Sequence, residues 1–257
     1  MNGAKELIGL ISFAKIGSRR EKEVKRKTVK IIYFDIDGTL REESRGVSEK
    51  VKEMIRLCKE EGIYTVMCTG RNRGSIQQDI WNLKIDGSIY SGGCCIEFQG
   101  KLLQKQQFEY SQIDNFIRKS KILRIGLVLE TEEWVYMNGQ AAAIYENIFK
   151  EKTKTYSNKK REQIKKQNHF LYEDNMGQFK IENDVFKVCI IGDKKKLECI
   201  KSEMENKCSI VQFIPFGECW LLEYLPKECD KGNAVMKLNR FLKIKKEESS
   251  EAGRTFN

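Results

Sequence analysis

The sequence predicts an α/β protein in which a parallel sheet is interrupted by a large α+β insertion. Three observations indicate this. From Val29 short apolar strands alternate with amphipathic helices, from about Phe108 the order of elements changes, and residues 222–242 return to the first pattern. At 257 residues the chain is near the length above which proteins form two domains and not one larger hydrophobic core. The predicted parts are an N-terminal extension at 1–28, a first domain at 29–106 and 223–257, and an inserted domain at 107–222.

The first domain begins with a strand at 29–34, which is rich in β-branched and aromatic residues as a buried strand should be. Ser48 is a candidate N-cap for a helix, because Val51, Met54, Ile55 and Cys58 after it follow helical spacing. Gly62 is expected to end that helix. We then predict a strand at 63–68, a helix at 75–83 and a strand at 87–90.

The inserted domain mixes a helix at 111–119 with strands at 125–130 and 185–191. After it, residues 222–225 predict a strand and the chain from Gly232 predicts a helix with Val235, Leu238 and Leu242 on one face. We assign both of these elements to the first domain.

Composition indicates a folded protein without a membrane span. Hydrophobic residues make up 40% and charged residues 33% of the chain, and no stretch reaches the roughly 20 apolar residues that cross a bilayer. The apolar start of the chain precedes its charged run, whereas a secretory signal has the opposite order. We therefore expect residues 1–28 to be an extension outside the fold and the protein to be cytoplasmic.

The nine cysteines include no CxxC pair. A zinc site needs closely spaced cysteine or histidine ligands, and the chain has one histidine. Reduced thiols that pack as small hydrophobic side chains are the simpler interpretation, and they agree with a cytoplasmic location.

The net charge of +10 raises the question of a polyanionic partner. Positive charge is densest in the run at 150–167, which contains eight basic residues and two acidic ones. A basic stripe can follow a nucleic-acid backbone, but the same composition is typical of a solvated lysine-rich surface. Because no nucleic-acid-binding motif accompanies the run, we favour the surface interpretation. The positive charge would equally suit a small phosphorylated substrate.

The most informative segment is DIDGTL at 35–40, directly after the first strand. Ligands of open α/β sheets bind at the carboxyl ends of strands, so Asp35 and Asp37 are expected to point into that crevice. Two neighbouring carboxylates suit Mg²⁺, which binds carboxylate and phosphate oxygens. Asp35 could then attack phosphorus and Asp37 could act as general acid and base. An acidic surface turn is the alternative, and a calcium loop would need more acids downstream.

Residues 31–40 resemble the first motif of the haloacid dehalogenase superfamily, and VMCTGR at 66–71 resembles the second motif of its Cof-type branch. The resemblance implies that the hydroxyl of Thr69 holds the transferring phosphoryl group, that Gly70 leaves room for it and that Arg71 helps with the anion. Lys231 in CDKGNAV resembles the third motif, a lysine that neutralises charge among carboxylates and phosphoryl oxygens.

The same resemblance implies a Rossmann-like core with a class IIB cap, which is the large α+β domain of this branch. Such caps close over the site, exclude water and select the substrate. At 91–93 the sequence SGG stands where relatives commonly have Ser-Asn-Gly or Thr-Asn-Gly, so Gly92 replaces an asparagine.

The fourth motif of the branch, Gly-Asp-x-x-Asn-Asp on a strand, is not found after Lys231. Gly192 and Asp193 precede that lysine and are interpreted as a turn, and Glu247, Glu248 and Glu251 as solvated charges at a helix end. From this we expect the strand beside the first strand to be missing, which would expose a sheet edge. The metal would have the Asp35 carboxylate, the Asp37 carbonyl, waters and substrate as ligands.

Two functions follow from these observations. The first is a Mg²⁺-dependent phosphohydrolase of a small phosphorylated metabolite, such as a sugar phosphate, that acts through an aspartyl-phosphate on Asp35. The alternative is a truncated, catalytically impaired relative that acts as a binding protein or has no activity.

Overall fold

The structure is a computed structural model that describes residues 29–42, 45–167 and 173–253, so the predicted N-terminal extension lies outside the described residues. The chain divides into two compact units. Among the described residues, the first unit covers those up to Thr69, then Gln78–Leu103, and those from Lys231. The second unit covers Gly70–Gln77 and Gln104–Asp230.

The strands in chain order are β1 Ile31–Phe34, β2 Tyr64–Cys68, β3 Gly87–Tyr90, β4 Cys95–Phe98, β5 Lys101–Lys105, β6 Gly126–Thr131, β7 Val135–Met137, β8 Val185–Gly192, β9 Cys208–Phe216, β10 Cys219–Pro226 and β11 Ser249–Ala252. The α-helices are α1 Glu49–Glu60, α2 Gln78–Trp81, α3 Tyr110–Leu123, α4 Gly139–Lys152, α5 Asn158–Gln167, α6 Lys194–Met204 and α7 Lys231–Phe241. The order of elements confirms the predicted α/β class.

The first sheet has the strand order β11-β1-β2-β3-β4-β5. The four strands β11, β1, β2 and β3 are mutually parallel, and β4 returns antiparallel to β3. The carboxyl ends of the four parallel strands therefore meet at one edge of this sheet, as the sequence predicts for the residues that follow β1 and β2.

Helix α1 forms as its sequence predicts. The Ser48 side chain accepts a hydrogen bond from the backbone N–H of Val51, and Met54, Ile55 and Cys58 are buried. Gly62 has a positive φ of 69°, which its missing side chain permits, and β2 begins two residues later. The helix predicted at 75–83 is shorter than expected, since α2 spans one turn.

Helix α7 packs against the same sheet through apolar and polar contacts. Ala234, Val235 and Leu238 belong to the core cluster that includes Ile31 of β1. The buried hydroxyl of Tyr33 donates to Asn239 Oδ1 at 2.9 Å, and burial raises the pKa of this tyrosine. The position of α7 relative to β1 is thus fixed by packing and by a buried hydrogen bond.

The second sheet has the order β7-β6-β8-β10-β9, and its paired strands are antiparallel. One of its faces packs against the apolar sides of α3 and α6, which contribute Phe116 and Leu197. Its other face packs against α4, which contributes Ala141 and Ala142. Strand β8, in the middle of the sheet, is buried over its whole length.

The assignment of the strand at 222–225 to the first domain was wrong. It is part of β10, which pairs with β8 and β9 in the second sheet, and the boundary between the units follows Asp230. A short apolar run identifies a strand but carries no information about the sheet that it joins. The helix expected after it does belong to the first unit as α7.

The expectation that the strand beside β1 is missing was also wrong. Strand β11 pairs in parallel with β1, with Ile31 opposite Ser249 and Phe34 opposite Ala252. Its sequence, SSEA, has no apolar run because an edge strand need not be buried on both faces. Glu251 accordingly lies in this strand and not at a helix end.

The remaining predictions concern turns, thiols and the basic run. Asp193 follows β8 and caps α6 by accepting from the Lys195 N–H, which agrees with a turn. All nine cysteines are free thiols, and seven are buried. In the basic run, Arg161 donates to the carbonyls of Thr153 and Lys154. In the part of the chain that the structure describes, no helix is long and apolar enough to cross a membrane.

Candidate active site

Asp35 and Thr69 follow neighbouring parallel strands at the same sheet edge. Phe34, the last residue of β1, pairs with Met67 of β2. The two strands therefore end within about one residue of each other along the sheet. The backbone N–H of Asp35 still donates to the carbonyl of Ala252 in β11, at 3.0 Å. The backbone of the first predicted catalytic residue is therefore hydrogen-bonded to the neighbouring strand β11.

The turn that carries Asp37 is closed by backbone hydrogen bonds. The Leu40 N–H donates to the Asp35 carbonyl at 3.2 Å, and the Gly38 N–H donates to the Arg41 carbonyl at 2.9 Å. Gly38 has a φ of 76°, a conformation that other residues adopt at a steric cost. Asp37 is exposed and Asp35 is partly exposed, so the turn presents both acids to solvent.

Lys231 meets Asp35 directly. Its Nζ lies 3.2 Å from Asp35 Oδ1, and each side chain is about one-fifth exposed. Lys231 is the first residue of α7, the helix that the Tyr33–Asn239 hydrogen bond fixes to β1. Two residues separated by 196 positions are thus brought together by the fold.

Both charges of this pair affect the pKa of Cys68, the last residue of β2. Burial raises the pKa of its thiol to about 12, while Lys231 acts to lower it and Asp35 acts to raise it.

Thr69 is almost fully buried, with 1% of its surface exposed. Its N–H donates to the Ile89 carbonyl at 2.9 Å and its carbonyl accepts from the Gly92 N–H at 3.1 Å. Gly92 has a φ of 68°, a left-handed conformation in which both glycine and asparagine occur. This accounts for glycine at the position where relatives have asparagine.

Gly70 and Arg71 belong to the second unit. A Cβ atom built on Gly70 would meet nothing within 4 Å, so this residue faces open space. The Gly70 carbonyl accepts a hydrogen bond from Lys187 Nζ at 3.0 Å. Arg71 Nη1 donates to the Ser75 carbonyl at 3.0 Å, which orients its guanidinium along its own segment.

The donor atoms at this sheet edge fit a magnesium ion that takes few protein ligands. Asp35 offers a carboxylate and Asp37 a backbone carbonyl, and Mg²⁺ commonly completes its shell with water and phosphate oxygens. Among the described residues, no group of three or more histidines, cysteines or acids could hold a metal by itself. Strand β11 is followed by Gly253 and Arg254, so a basic residue occupies the sequence position of the acid in the fourth motif.

Lys187 is a further residue near the segment that carries Gly70, and none of the sequence motifs includes it. It lies in the middle of β8, its side chain is buried, and it pairs with Glu130 Oε1 at 2.8 Å as well as with Gly70. The sequence does contain a sign of its role: a lysine within the apolar run VFKVCII is expected to be buried and to need a partner of opposite charge. Its partner could not be identified from spacing alone, since Glu130 is on another strand.

Comparison with known proteins places these observations in a family. A family model described as haloacid dehalogenase-like hydrolase matches residues 32–256. A Bacillus subtilis protein, YxeH, named as a phosphatase, is 36% identical over 75 residues, or 29% of this chain and 27% of its own. A Streptococcus pyogenes protein, also named as a phosphatase, is 23% identical over 228 residues, covering 84% of this chain and 77% of its own.

A solved structure described as a subclass IIB sugar phosphatase of the same superfamily matches with a TM-score of 0.63. It is 15% identical, and the match covers 87% of this chain and 80% of that one. At this identity the likeness concerns the fold. The family match spans nearly the whole chain and includes the motifs that carry Asp35, Thr69 and Lys231. The chain belongs to the haloacid dehalogenase-like hydrolases.

Proposed function

We propose that this protein is a phosphohydrolase of small phosphorylated metabolites and that Asp35 is its nucleophile. The observation that carries the proposal is the 3.2 Å contact between Lys231 Nζ and Asp35 Oδ1 at the carboxyl edge of the first sheet. A lysine at this distance forms an ion pair with Asp35 and offers positive charge to a phosphoryl group that approaches it.

In the proposed reaction, an Asp35 carboxylate oxygen bonds to phosphorus while the bond from phosphorus to the leaving oxygen breaks. Asp37 donates a proton to that oxygen, so an alcohol departs and an aspartyl-phosphate remains. Asp37 then accepts a proton from water as the water oxygen attacks phosphorus. Inorganic phosphate leaves and the Asp35 carboxylate is restored.

The other residues of the site bind and orient the phosphoryl group. The Thr69 hydroxyl and the backbone at Gly70 are proposed to donate to its oxygens, with Arg71 as a further cation. Mg²⁺ would be held by the Asp35 carboxylate and the Asp37 carbonyl, and when bound it supplies positive charge to the phosphoryl oxygens.

A sugar phosphate is the substrate class that we favour. The net charge of +10 suits an anionic substrate, and a structural relative is described as a sugar phosphatase. The free thiols support a reducing, cytoplasmic setting.

The proposal is tested with purified protein, Mg²⁺ and p-nitrophenyl phosphate. Phosphate release is expected, and Asp35→Asn should reduce it by at least about 10⁴-fold because the nucleophile is lost. Asp114→Asn is the matched control, since Asp114 is an exposed residue of α3, and it should retain the wild-type rate. Equal rates for Asp35→Asn and Asp114→Asn would reject the nucleophile.

The second candidate function is binding of a phosphorylated molecule without turnover. Arg254 favours it, because this cation follows β11 where the family motif has an acid. This alternative predicts no phosphate release with any divalent cation. It also predicts that calorimetry detects sugar phosphate binding and that Lys231→Met weakens that binding.

A further inference from the structure

The segment Gly70–Gln77 lies between β2 and β3 in the sequence but is bound to the second unit. The buried Asn72 side chain donates to the carbonyls of Thr131 and Trp134, at 2.9 and 3.2 Å. The Gly74 N–H donates to the Glu132 carbonyl at 2.9 Å. These acceptors are at the end of β6 and in the turn before β7, so the segment is anchored to one hairpin.

The approach of this segment to the hairpin requires glycine at position 74. A Cβ atom at Gly74 would lie 2.1 Å from the carbonyl oxygen of Glu133, a distance that no real Cβ contact has. Because the obstructing atom belongs to the backbone, a larger residue would push the segment and the hairpin apart.

Lys187 is a third attachment, at the start of the segment. Its Nζ donates to the Gly70 carbonyl at 3.0 Å and pairs with Glu130 Oε1 at 2.8 Å. Glu130 and Lys187 are directly opposite in the pairing of β6 with β8, which fixes the pair within the sheet. Burial acts to lower the pKa of Lys187, but the carboxylates of Glu130 and Glu223 raise it above its usual range, so the ammonium stays charged.

The hydrogen-bond partners of the backbone differ on the two sides of the Thr69–Gly70 peptide bond. The backbone of Thr69 is hydrogen-bonded to Ile89 and Gly92 of the first unit. The carbonyl of the next residue, Gly70, is bonded to Lys187 of the second unit. Each of these two residues is therefore hydrogen-bonded within its own unit.

We propose that Lys187, held by Glu130, is a positioning residue that orients the Gly70 backbone for the phosphoryl group. A charge-assisted hydrogen bond to the Gly70 carbonyl restrains the peptide plane between Gly70 and Arg71, and hence the direction of the Arg71 N–H in that plane. Asn72 and Gly74 keep the rest of the segment on the hairpin. The inference rests on the proposed function, because it concerns the same phosphoryl group.

The first variant is the double substitution Glu130→Leu with Lys187→Met, which removes the bond to Gly70 without leaving an unpaired buried charge. Its matched control is Lys119→Met with Glu203→Leu, which removes a 2.6 Å ion pair between α3 and α6 of the same unit. The second variant is Gly74→Ala, which leaves the Glu130–Lys187 pair intact. Its control is Gly177→Ala, where a Cβ atom would meet nothing within 4 Å.

Three measurements are made on each folded variant: hydrogen exchange across 70–77, the Kd for inorganic phosphate, and kcat/KM for p-nitrophenyl phosphate. Both test variants should exchange about tenfold faster across this segment, because the double variant loses a charged hydrogen bond and Gly74→Ala pushes the segment away from the hairpin. They should weaken phosphate binding and lower kcat/KM by about 10- to 100-fold, since small misplacements of positioning groups cost this much. The controls should match the wild type.

Faster exchange with unchanged phosphate binding and kcat/KM would overturn the inference, because the contact would then be structural only. Exchange at the control level would overturn it as well. A wild type that binds phosphate but releases none would reject the proposed function, and weaker phosphate binding in the two variants would still support the role of Lys187. A wild type that binds no phosphate would reject both.

Discussion

Two of the lysine–carboxylate pairs in this protein, Lys231–Asp35 and Lys187–Glu130, differ in their surroundings. In the first unit, Lys231 and Asp35 are 3.2 Å apart and about one-fifth exposed. In the second unit, Lys187 and Glu130 are 2.8 Å apart and only about one-tenth exposed. Similar chemical groups thus form one pair that a ligand can reach and one that is enclosed between strands.

The difference in burial changes what each pair can do. A partly exposed carboxylate can release its lysine to another anion, because water and the ligand replace the lost contact. A pair enclosed in a sheet cannot separate without leaving an uncompensated charge, so it acts as a fixed point. This contrast supports a catalytic role for Asp35 and a positioning role for Lys187.

The largest effect on stability is expected from Lys187→Met alone. This substitution leaves the Glu130 carboxylate buried without its cation, and the free energy of unfolding should fall by about 3–5 kcal/mol in urea denaturation. Adding Glu130→Leu should restore most of the loss. If the single variant lost less than about 1 kcal/mol, the two pairs would not differ in the way that their burial indicates.

A smaller effect, and on rate rather than stability, is expected from Lys231→Met. Loss of this cation should lower kcat for p-nitrophenyl phosphate by about 10²- to 10³-fold, as for other single donors to a reacting anion. The free energy of unfolding should change by less than about 1 kcal/mol, since the pair is partly solvated. Lys52→Met, which removes an exposed ion pair with Glu49 on α1, is the control; a similar kcat for both variants would contradict the proposal.

The smallest of the three effects is expected from Tyr33→Phe. The variant leaves Asn239 Oδ1 buried without the 2.9 Å hydrogen bond that helps to hold α7 on β1. Thermal or urea unfolding should show a loss of about 1–2 kcal/mol, the usual cost of an unpaired buried acceptor. Tyr110→Phe, at an exposed tyrosine of α3, should be neutral. Equal stability of the two variants would show that packing alone positions Lys231.

The sequence by itself indicated the candidate catalytic residues of the first unit. Asp35 and Asp37 were identified because the buried strand before them is recognisable from a few apolar residues, whereas the role of Thr69 was implied by the resemblance to a family motif. Helix α1 was predicted with its cap because its apolar spacing and Ser48 are local signals. Lys231 required a family motif, since a lysine at a helix start has no distinctive local pattern.

Only the tertiary structure decided which distant segments pair. It assigned β10 to the second sheet and showed that the polar strand β11 completes the first. It also joined Lys187 to Glu130 and Gly70, which are 57 and 117 positions away in the sequence. Periodicity reports which face of a segment is buried, whereas the partner across that face is set by packing of the whole chain.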